Sequence, residues 1–176
     1  MIHPTAIISD ETQLWADVTI WPYVVLQGKN IVWDRAHIMA HARIADSEIG
    51  DETVLTPYAK IEKSVLGKKC KIWCELRKCK LGDRVVWSHT NIVLEWTTID
   101  GYTNIASGVV FGIWWGAYDD DGWYIKATLH IWHNVFVGVN TVFYPGKDQK
   151  ISIGNDVYVA WDLSVRHDIP DWHRIS

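Results

Sequence analysis

The sequence predicts an all-β chain that folds as a solenoid of short parallel strands, and three observations carry this prediction. Aliphatic residues recur every six positions from Ile2 to Ile44. Nearly all residues four positions after them, from Ala6 to Ala42, are small or β-branched. A period of six fits neither an α-helix, with about 3.6 residues per turn, nor an amphipathic strand, with a period of about two.

The same rhythm slips and then resumes along the rest of the chain. Its later members are Ile49, Leu55, Ile61, Leu66, Ile72, Leu81, Trp87, Val93, Ile99, Ile105, Phe111, Ile131, Val137, Phe143, Ile153, Val159 and Val165. A rung of this kind describes a short strand and a turn, and three rungs form one triangular coil. Each coil buries its apolar column only by stacking on its neighbours. We therefore expect a single β-helix domain over residues 1–176.

Two interruptions of the rhythm predict loops that extend from the solenoid, near 112–130 and 144–152. Loops on a rigid scaffold often carry binding residues, although a tolerated surface insertion explains them almost as well. Parallel stacking leaves open strand edges at the two ends of a solenoid. We expect the C-terminal stretch RHDIPDWHRIS to cover one end as a cap or short helix.

Composition narrows the functions to consider. The chain has 176 residues, of which 48% are hydrophobic and 22% charged, and its formal net charge is −4. These values fit a soluble globular protein, and the absence of a clustered basic face argues against nucleic-acid binding. No apolar run reaches the length of a membrane span. The N-terminal stretch MIHPTAIISDETQ becomes polar at once, so we expect no secretory signal.

Three cysteines, Cys70, Cys74 and Cys79, lie close together in the sequence. An odd number in one stretch is a poor disulfide framework and indicates a reducing compartment. A tetrahedral metal site needs a fourth ligand at suitable spacing, which this stretch does not offer. We therefore expect three ordinary thiols, no metal site here, and a cytoplasmic protein.

Several segments resemble one family. The stretch ADSEIGDETVLTPYAKIEKSVLGKKCKIWCELRKCKLGDRV follows its pattern of coils, including a Leu-Arg step at Leu76-Arg77. TNIASGVVF resembles its Asn-Ile-Gly-x-Gly coil, and AYDDDG resembles its Asn-Tyr-Asp-Gly loop, lengthened by two residues. NVFVGVNTVF and VYVAWDLSVRHDIPD are similar to its last coils. The family is the hexapeptide-repeat acyltransferases, and in particular the C-terminal acetyltransferase domain of the bifunctional N-acetylglucosamine-1-phosphate uridyltransferase/glucosamine-1-phosphate acetyltransferase.

The resemblance implies a left-handed parallel β-helix, a homotrimer, and acetyl-CoA bound as co-substrate in a groove between neighbouring subunits. It implies an amino sugar or sugar phosphate as acceptor and no tightly bound cofactor. The reaction would be attack of a sugar amine on a thioester, with a general base and an oxyanion donor.

Residue by residue, the resemblance places substrate-binding roles at three positions. Arg77 matches a phosphate-binding arginine, whose guanidinium fork suits phosphate. Tyr118 matches the tyrosine of the Asn-Tyr-Asp-Gly loop, and Lys126 lies one position from a family lysine. Arg166 and His167 fall where basic residues near the CoA phosphates are usual.

Other positions depart from the family's pattern. The asparagine of the loop is Ala117, and a second family lysine falls at Leu94. The stretch VLEWTTIDGYTNIASG is one coil short, and the missing coil carries the family's catalytic histidine, so we expect the acyltransferase activity to be impaired. His130 and His133, and less directly His89, are the candidates to replace it, because histidine titrates near neutral pH. Each is also explained as an outward turn residue.

Twelve tryptophans are an unusual number for this length. Several follow an inward aliphatic residue, where the repeat usually has glycine: Trp15, Trp21, Trp33, Trp73 and Trp132. Their position predicts that they point outward and that Trp15 and Trp33, one coil apart, stack on one face. Three interpretations stay open: an aromatic surface between subunits, a sugar-stacking platform, and a redesigned sequence.

Two further functions compete with acyl transfer. One is a non-catalytic or engineered β-helix that serves as an oligomerisation scaffold. The other is a metal enzyme that resembles the gamma-class carbonic anhydrases, with His37 and His41 as ligands. Solvated turn histidines explain that pair more simply.

Overall fold

The structure is a computed structural model that describes residues 1–89, 96–111, 128–144 and 150–176. Every regular element in these ranges is a β-strand, so they contain no helix long and apolar enough to cross a membrane. The first strands are β1 (Ile7–Ile8), β2 (Gln13–Leu14), β3 (Thr19–Ile20), β4 (Val25–Gln27), β5 (Ile31–Val32), β6 (His37–Ile38), β7 (Arg43–Ala45), β8 (Glu48–Ile49), β9 (Val54–Leu55), β10 (Lys60–Glu62), β11 (Val65–Leu66), β12 (Lys71–Ile72) and β13 (Glu75–Arg77). The later strands are β14 (Lys80–Leu81), β15 (Val86–Trp87), β16 (Thr98–Ile99), β17 (Asn104–Ile105), β18 (Val110–Phe111), β19 (Thr128–Ile131), β20 (Phe136–Val137), β21 (Val142–Phe143), β22 (Lys150–Ile153), β23 (Tyr158–Val159), β24 (Ser164–Val165) and β25 (Arg174–Ile175).

The strands form the three faces of a prism, and successive strands pass from one face to the next. Face one consists of the sheet β1-β4-β7-β10-β13 and the sheet β18-β21-β24, which takes the same place in the order of the coil. Face two is the sheet β2-β5-β8-β11-β14-β16-β19-β22. Face three is the sheet β3-β6-β9-β12-β15-β17-β20-β23-β25. All pairings between described strands are parallel, which confirms the predicted β-helix.

The inward column is the one that the six-residue rhythm predicts. On face two, Leu14 pairs with Val32 and Val32 with Ile49, each directly above the last. Most of the column is fully buried, including Ile20, Ile61 and Val137. Ile2 is an exception at 53% exposed. It lies in the first coil, where it bridges Ile20.

The tail does not form a helix. Ile169 bridges Ile153 and β25 pairs with β23, so the last residues continue the coil as a further set of parallel rungs. The two predicted loops are described only at their margins. Residues 128–130 and 150–152 lie in β19 and β22, because Leu129 and Ile151 are buried in the core. Residues 112–127 and 145–149 lie outside the described ranges.

A chain of buried polar side chains supports the corner between face one and face two. Asn30 donates through Nδ2 to Thr12 and accepts through Oδ1 from the Ser47 amide. Ser47 accepts from the Ser64 amide, and Ser64 accepts from the Cys79 amide at 3.0 Å. Turns leave backbone donors inside the prism, and each such donor must be paired. The hydrogen bonds of these side chains pair such donors in one coil after another.

Candidate functional site

The corner between face one and face two collects most of the residues that the sequence singles out. Arg77 ends β13 on face one, just before this corner. Arg166 follows β24 at the same corner, several coils further along, and His167 is next to it. His130 lies on the adjoining face two, in β19. The three chain segments are distant in sequence, so the coil stacking alone brings them to one edge of the prism.

His130 is the best-supported candidate for a proton acceptor. Its side chain is 21% exposed, and its ring stacks on that of Trp132 with centroids 4.4 Å apart and planes at 9°. Nε2 is buried and lies 3.5 Å from Asp100 Oδ1, which is an electrostatic contact longer than a hydrogen bond. The imidazole is thus held from one side by an aromatic ring and from another by a carboxylate. This arrangement fixes the orientation of a base.

The neighbours of His130 on face two are polar. Strand pairing places Thr98 on one side of it and Ser152 on the other. Trp132 donates from Nε1 to Ser152 Oγ at 3.0 Å, and the Ser152 amide donates to Asp168 Oδ1 at 2.8 Å. These bonds hold Trp132 in place under the imidazole. Sequence reasoning missed Asp100 and Ser152, because no local spacing relates them to His130.

His133 does not join this cluster. It lies past Trp132 at the opposite edge of face two, where its ring is 4.9 Å from that of Tyr102. His89 lies against Trp73 on face three, at 5.4 Å between ring centroids. His130 has the Asp100 carboxylate within 4.0 Å, whereas His133 forms no ion pair with a described residue.

Arg77 is already engaged by carboxylates. Its Nε is 3.1 Å from Glu62 Oε2, and its Nη2 is 3.8 Å from Glu75 Oε1. Two acidic neighbours offset its charge. Arg166 differs, since its guanidinium lies 5.5 Å over the Tyr144 ring and pairs with no carboxylate of the described ranges.

The other candidates divide into two groups. Tyr118 and Lys126, with Ala117 and Leu94, lie outside the described residues. His37 and His41 occupy different settings: His37 is outward in β6, while His41 is stacked between the rings of Tyr23 and Tyr58. Within the described ranges no group of three His, Cys, Asp or Glu side chains could hold a metal ion.

The tryptophans that follow an inward aliphatic residue point outward as predicted, whereas Trp87 belongs to the buried column. Trp15, Trp21 and Trp132 are 51%, 45% and 41% exposed. The Trp15 and Trp33 rings stack at 4.7 Å and 21°, which confirms the expected pair. None of these positions has a positive φ, so tryptophan replaces glycine there without backbone strain.

A prism of parallel, in-register rungs with this repeat defines the class of protein: a left-handed parallel β-helix of hexapeptide repeats. The UDP-N-acetylglucosamine acyltransferase of Francisella novicida shares the fold, with a TM-score of 0.78 over 99% of this chain and 66% of that chain, at 15% identity. The corresponding enzyme of Bacteroides fragilis gives a TM-score of 0.65 over 100% of this chain and 71% of that chain, at 18% identity.

Sequence comparison points to a particular relative. The chain is 31% identical to the bifunctional protein GlmU of Thermosynechococcus vestitus over 134 residues, which are 74% of this chain and 27% of that protein. It is 31% identical to GlmU of Sphingopyxis alaskensis over 170 residues, which are 95% of this chain and 35% of that protein. No family model matches the chain. The chain spans well under half of the length of these relatives, and it resembles the C-terminal domain of GlmU, as the sequence predicts.

Proposed function

We propose that the protein is an acyltransferase that moves an acetyl group from acetyl-CoA to an amino sugar or sugar phosphate, with His130 as general base. The contact between His130 and Asp100 carries this proposal. The likeness to GlmU over most of the chain supports the reaction class. Acetyl-CoA is a co-substrate, no tightly bound cofactor takes part, and the protein acts in the cytoplasm.

The reaction requires His130 first to take up a proton and later to release one. Nδ1 of His130, which has no hydrogen-bond partner among the described residues, takes a proton from the acceptor amine as its nitrogen bonds to the thioester carbon. The carbon–sulfur bond then breaks, and the CoA thiolate leaves with the proton that His130 returns. Asp100 acts through His130 as a positioning residue, because its carboxylate stabilises the imidazolium that forms.

The remaining candidates are assigned by the family resemblance. Arg77, Tyr118 and Lys126 contact the acceptor, and Arg166 and His167 contact the CoA phosphates. The uncompensated charge of Arg166 supports the last assignment. The working form is a homotrimer, for which the outward tryptophans supply apolar contact surface.

The test is acetyl transfer from acetyl-CoA to glucosamine-1-phosphate, followed by release of the free CoA thiol. His130→Gln is expected to lower kcat by about 10²- to 10⁴-fold, and Asp100→Asn to lower kcat with little change in KM. His133→Gln is the matched control, since it removes an imidazole at the opposite edge of face two, and it should leave kcat unchanged. Full activity in His130→Gln would refute the assignment.

A second candidate function is a non-catalytic oligomerisation scaffold. The sequence departures at Leu94 and Ala117 and the exposed tryptophans favour it. No heat of binding and no thermal shift with saturating acetyl-CoA would establish this alternative over acyl transfer.

A further inference from the structure

The corner between face three and face one carries a stack of aromatic side chains. Its members are Tyr23, His41 and Tyr58, which occupy the same position on three successive coils, each with a positive φ. The ring centroids are 5.1 Å apart between Tyr23 and His41, and 5.0 Å apart between His41 and Tyr58. Each of these coils thus adds one ring to the aromatic stack, at the spacing of the coils.

The next coil does not continue the aromatic stack. At each earlier passage of this corner, four residues separate the strand of face three from the strand of face one, as between β9 and β10. Between β12 and β13 there are two residues, Trp73 and Cys74. Residues 70–77 are all described, and none of them has a positive φ. This short corner therefore lacks the position from which a fourth ring would extend.

The ring of Tyr58 consequently has one face that no described residue covers. His41 supplies the one ring contact that Tyr58 makes within the described ranges, and Tyr58 is 74% exposed. Tyr102 is a corner tyrosine of the same kind, with a φ of 61°. Arg84 of the preceding coil lies 5.3 Å from the centre of its ring, and the ring of His133 in the following coil lies 4.9 Å away. Tyr102 is accordingly less exposed, at 52%.

The side chains around the short corner leave the outer face of Tyr58 open. Trp73 packs elsewhere, because Lys71 Nζ lies 4.5 Å from the centre of its ring and the His89 ring lies 5.4 Å from it. Lys60, two residues after Tyr58, pairs at 2.7 Å with Glu75, which follows the short corner. These two charges offset each other, so the pair beside the open ring face does not favour a charged ligand.

We propose that the outer face of Tyr58 is a binding site for an uncharged planar heteroaromatic ring, which adds a fourth member to the aromatic stack. The step left by the short corner is one coil high, or about 4.8 Å. Aromatic rings that pack together in proteins have centroids about 4.5–7 Å apart, so a ligand ring fits in the place of the missing side chain. The face of a phenol ring is electron-rich, and an electron-poor heteroaromatic ring therefore packs on it better than a saturated ring.

This site is separate from the candidate catalytic site. The corner between face three and face one is the edge of the prism that lies opposite face two, where His130 is found in β19. The ligand needs no phosphate, acyl group or amine. Binding at Tyr58 therefore does not rest on the proposed acyl transfer, and a protein without acyltransferase activity would still bind the ring.

The test uses three neutral probes: nicotinamide, caffeine and cyclohexanecarboxamide, which resembles nicotinamide in shape but has a saturated ring. The probes are added to protein with carbon-13 in its tyrosine rings, and the Tyr58 signal among the seven tyrosines is assigned by its loss in Tyr58→Phe. Nicotinamide and caffeine should shift the Tyr58 signal upfield and saturably, with a millimolar dissociation constant. Cyclohexanecarboxamide should not shift it. The Tyr102 signal is the control within the same sample and should not move, because both neighbouring coils cover that ring.

Variants measure the same binding from the side of the ligand. Saturation transfer from the protein to nicotinamide should fall by at least half in Tyr58→Leu and be retained in Tyr58→Phe, which keeps the ring. Tyr102→Leu is the matched control, since it removes a corner tyrosine whose ring is covered, and it should leave the transfer unchanged. The proposal is overturned if neither ring compound shifts the Tyr58 signal up to its solubility limit, if cyclohexanecarboxamide shifts it equally, or if Tyr58→Leu retains the full transfer.

Discussion

The Trp87 indole sits inside the prism, edge-on to Phe111 at 5.2 Å, and Phe111 in turn stacks on Phe143. Its Nε1–H is buried and has no hydrogen-bond partner in the described part of the chain. An unpaired buried donor costs about 1–3 kcal/mol. The buried column therefore accommodates an aromatic ring at position 87, but the Nε1–H group of that ring is left unpaired.

Trp87→Phe should consequently be tolerated better than its change in volume suggests. Removing the N–H offsets the cost of the smaller ring, which is on the order of 1 kcal/mol. We expect the free energy of unfolding, measured by urea denaturation, to change by less than about 1 kcal/mol. Phe111→Leu, which removes no polar atom, should cost about 1–2 kcal/mol. A larger loss in Trp87→Phe than in Phe111→Leu would contradict this account.

The three cysteines are buried free thiols, as the sequence predicts. Burial raises the pKa of the Cys70 thiol from its ordinary value of 9.0 to about 11. Burial likewise raises the pKa of Cys74. Since the thiolate is the reactive form, neither Cys70 nor Cys74 is expected to serve as a nucleophile, and labelling of these two thiols in the folded protein at pH 8 should be slow.

The same pKa shifts predict loss of stability at alkaline pH. Both thiols hold their protons more tightly when folded than when unfolded, so the unfolded chain releases protons first as pH rises past 9.0. Stability then falls by about 1.4 kcal/mol per pH unit and per thiol within that window. Cys70→Ala/Cys74→Ala should flatten the slope of melting temperature between pH 9 and 10.5. An unchanged slope would show that other groups cause it.

At the scale of the element, the corners are the strained parts of the coil. Non-glycine residues adopt positive φ at most of them, for example Tyr58 at 65° and Trp172 at 61°. For an L-residue other than Asn or Asp this region costs roughly 1–2 kcal/mol. The corner therefore favours small polar residues, and the long side chains found there project away from the prism.

Trp172→Asn should relieve this strain. The Trp172 side chain is 78% exposed. The substitution retains the hydrogen bond from the backbone amide of residue 172 to the Asn155 carbonyl. We expect stabilisation by up to about 1 kcal/mol, measured by urea denaturation. Trp161→Asn is the control, since Trp161 is 61% exposed but has no positive φ, and it should change stability little. Equal effects of the two substitutions would remove the backbone explanation.

The elements also show what the sequence can and cannot predict. The coil was predictable because each rung repeats one local pattern. The regular spacing of Leu14, Val32 and Ile49 therefore predicts that they stack on one another. The candidate site was not predictable, because it depends on which coils become neighbours after each interruption of the six-residue repeat. Asp100 approaches His130 because β16 pairs with β19, although the stretch of chain between these strands is longer than a regular coil.

For the whole molecule, the outward aromatics are the feature that a lone solenoid does not explain. Trp15 and Trp33 form a stacked pair on its surface, and large exposed apolar patches usually mark contacts between proteins. Stacking between coils already satisfies the inward column, so these rings add nothing to the core. The homotrimer that we propose would cover these rings with a second copy of the chain.

Sedimentation equilibrium at micromolar concentration should therefore give three times the chain mass of 20.2 kDa. Trp15→Gln/Trp33→Gln is expected to weaken the trimer, because buried tryptophans commonly contribute 2 kcal/mol or more (roughly) to an interface. Trp172→Asn, at the C-terminal end of the prism, should remain trimeric. A monomer at every concentration would refute the trimer. A trimer unaffected by the double variant would place the interface on another face and leave the stacked pair free to contact a ligand or another partner.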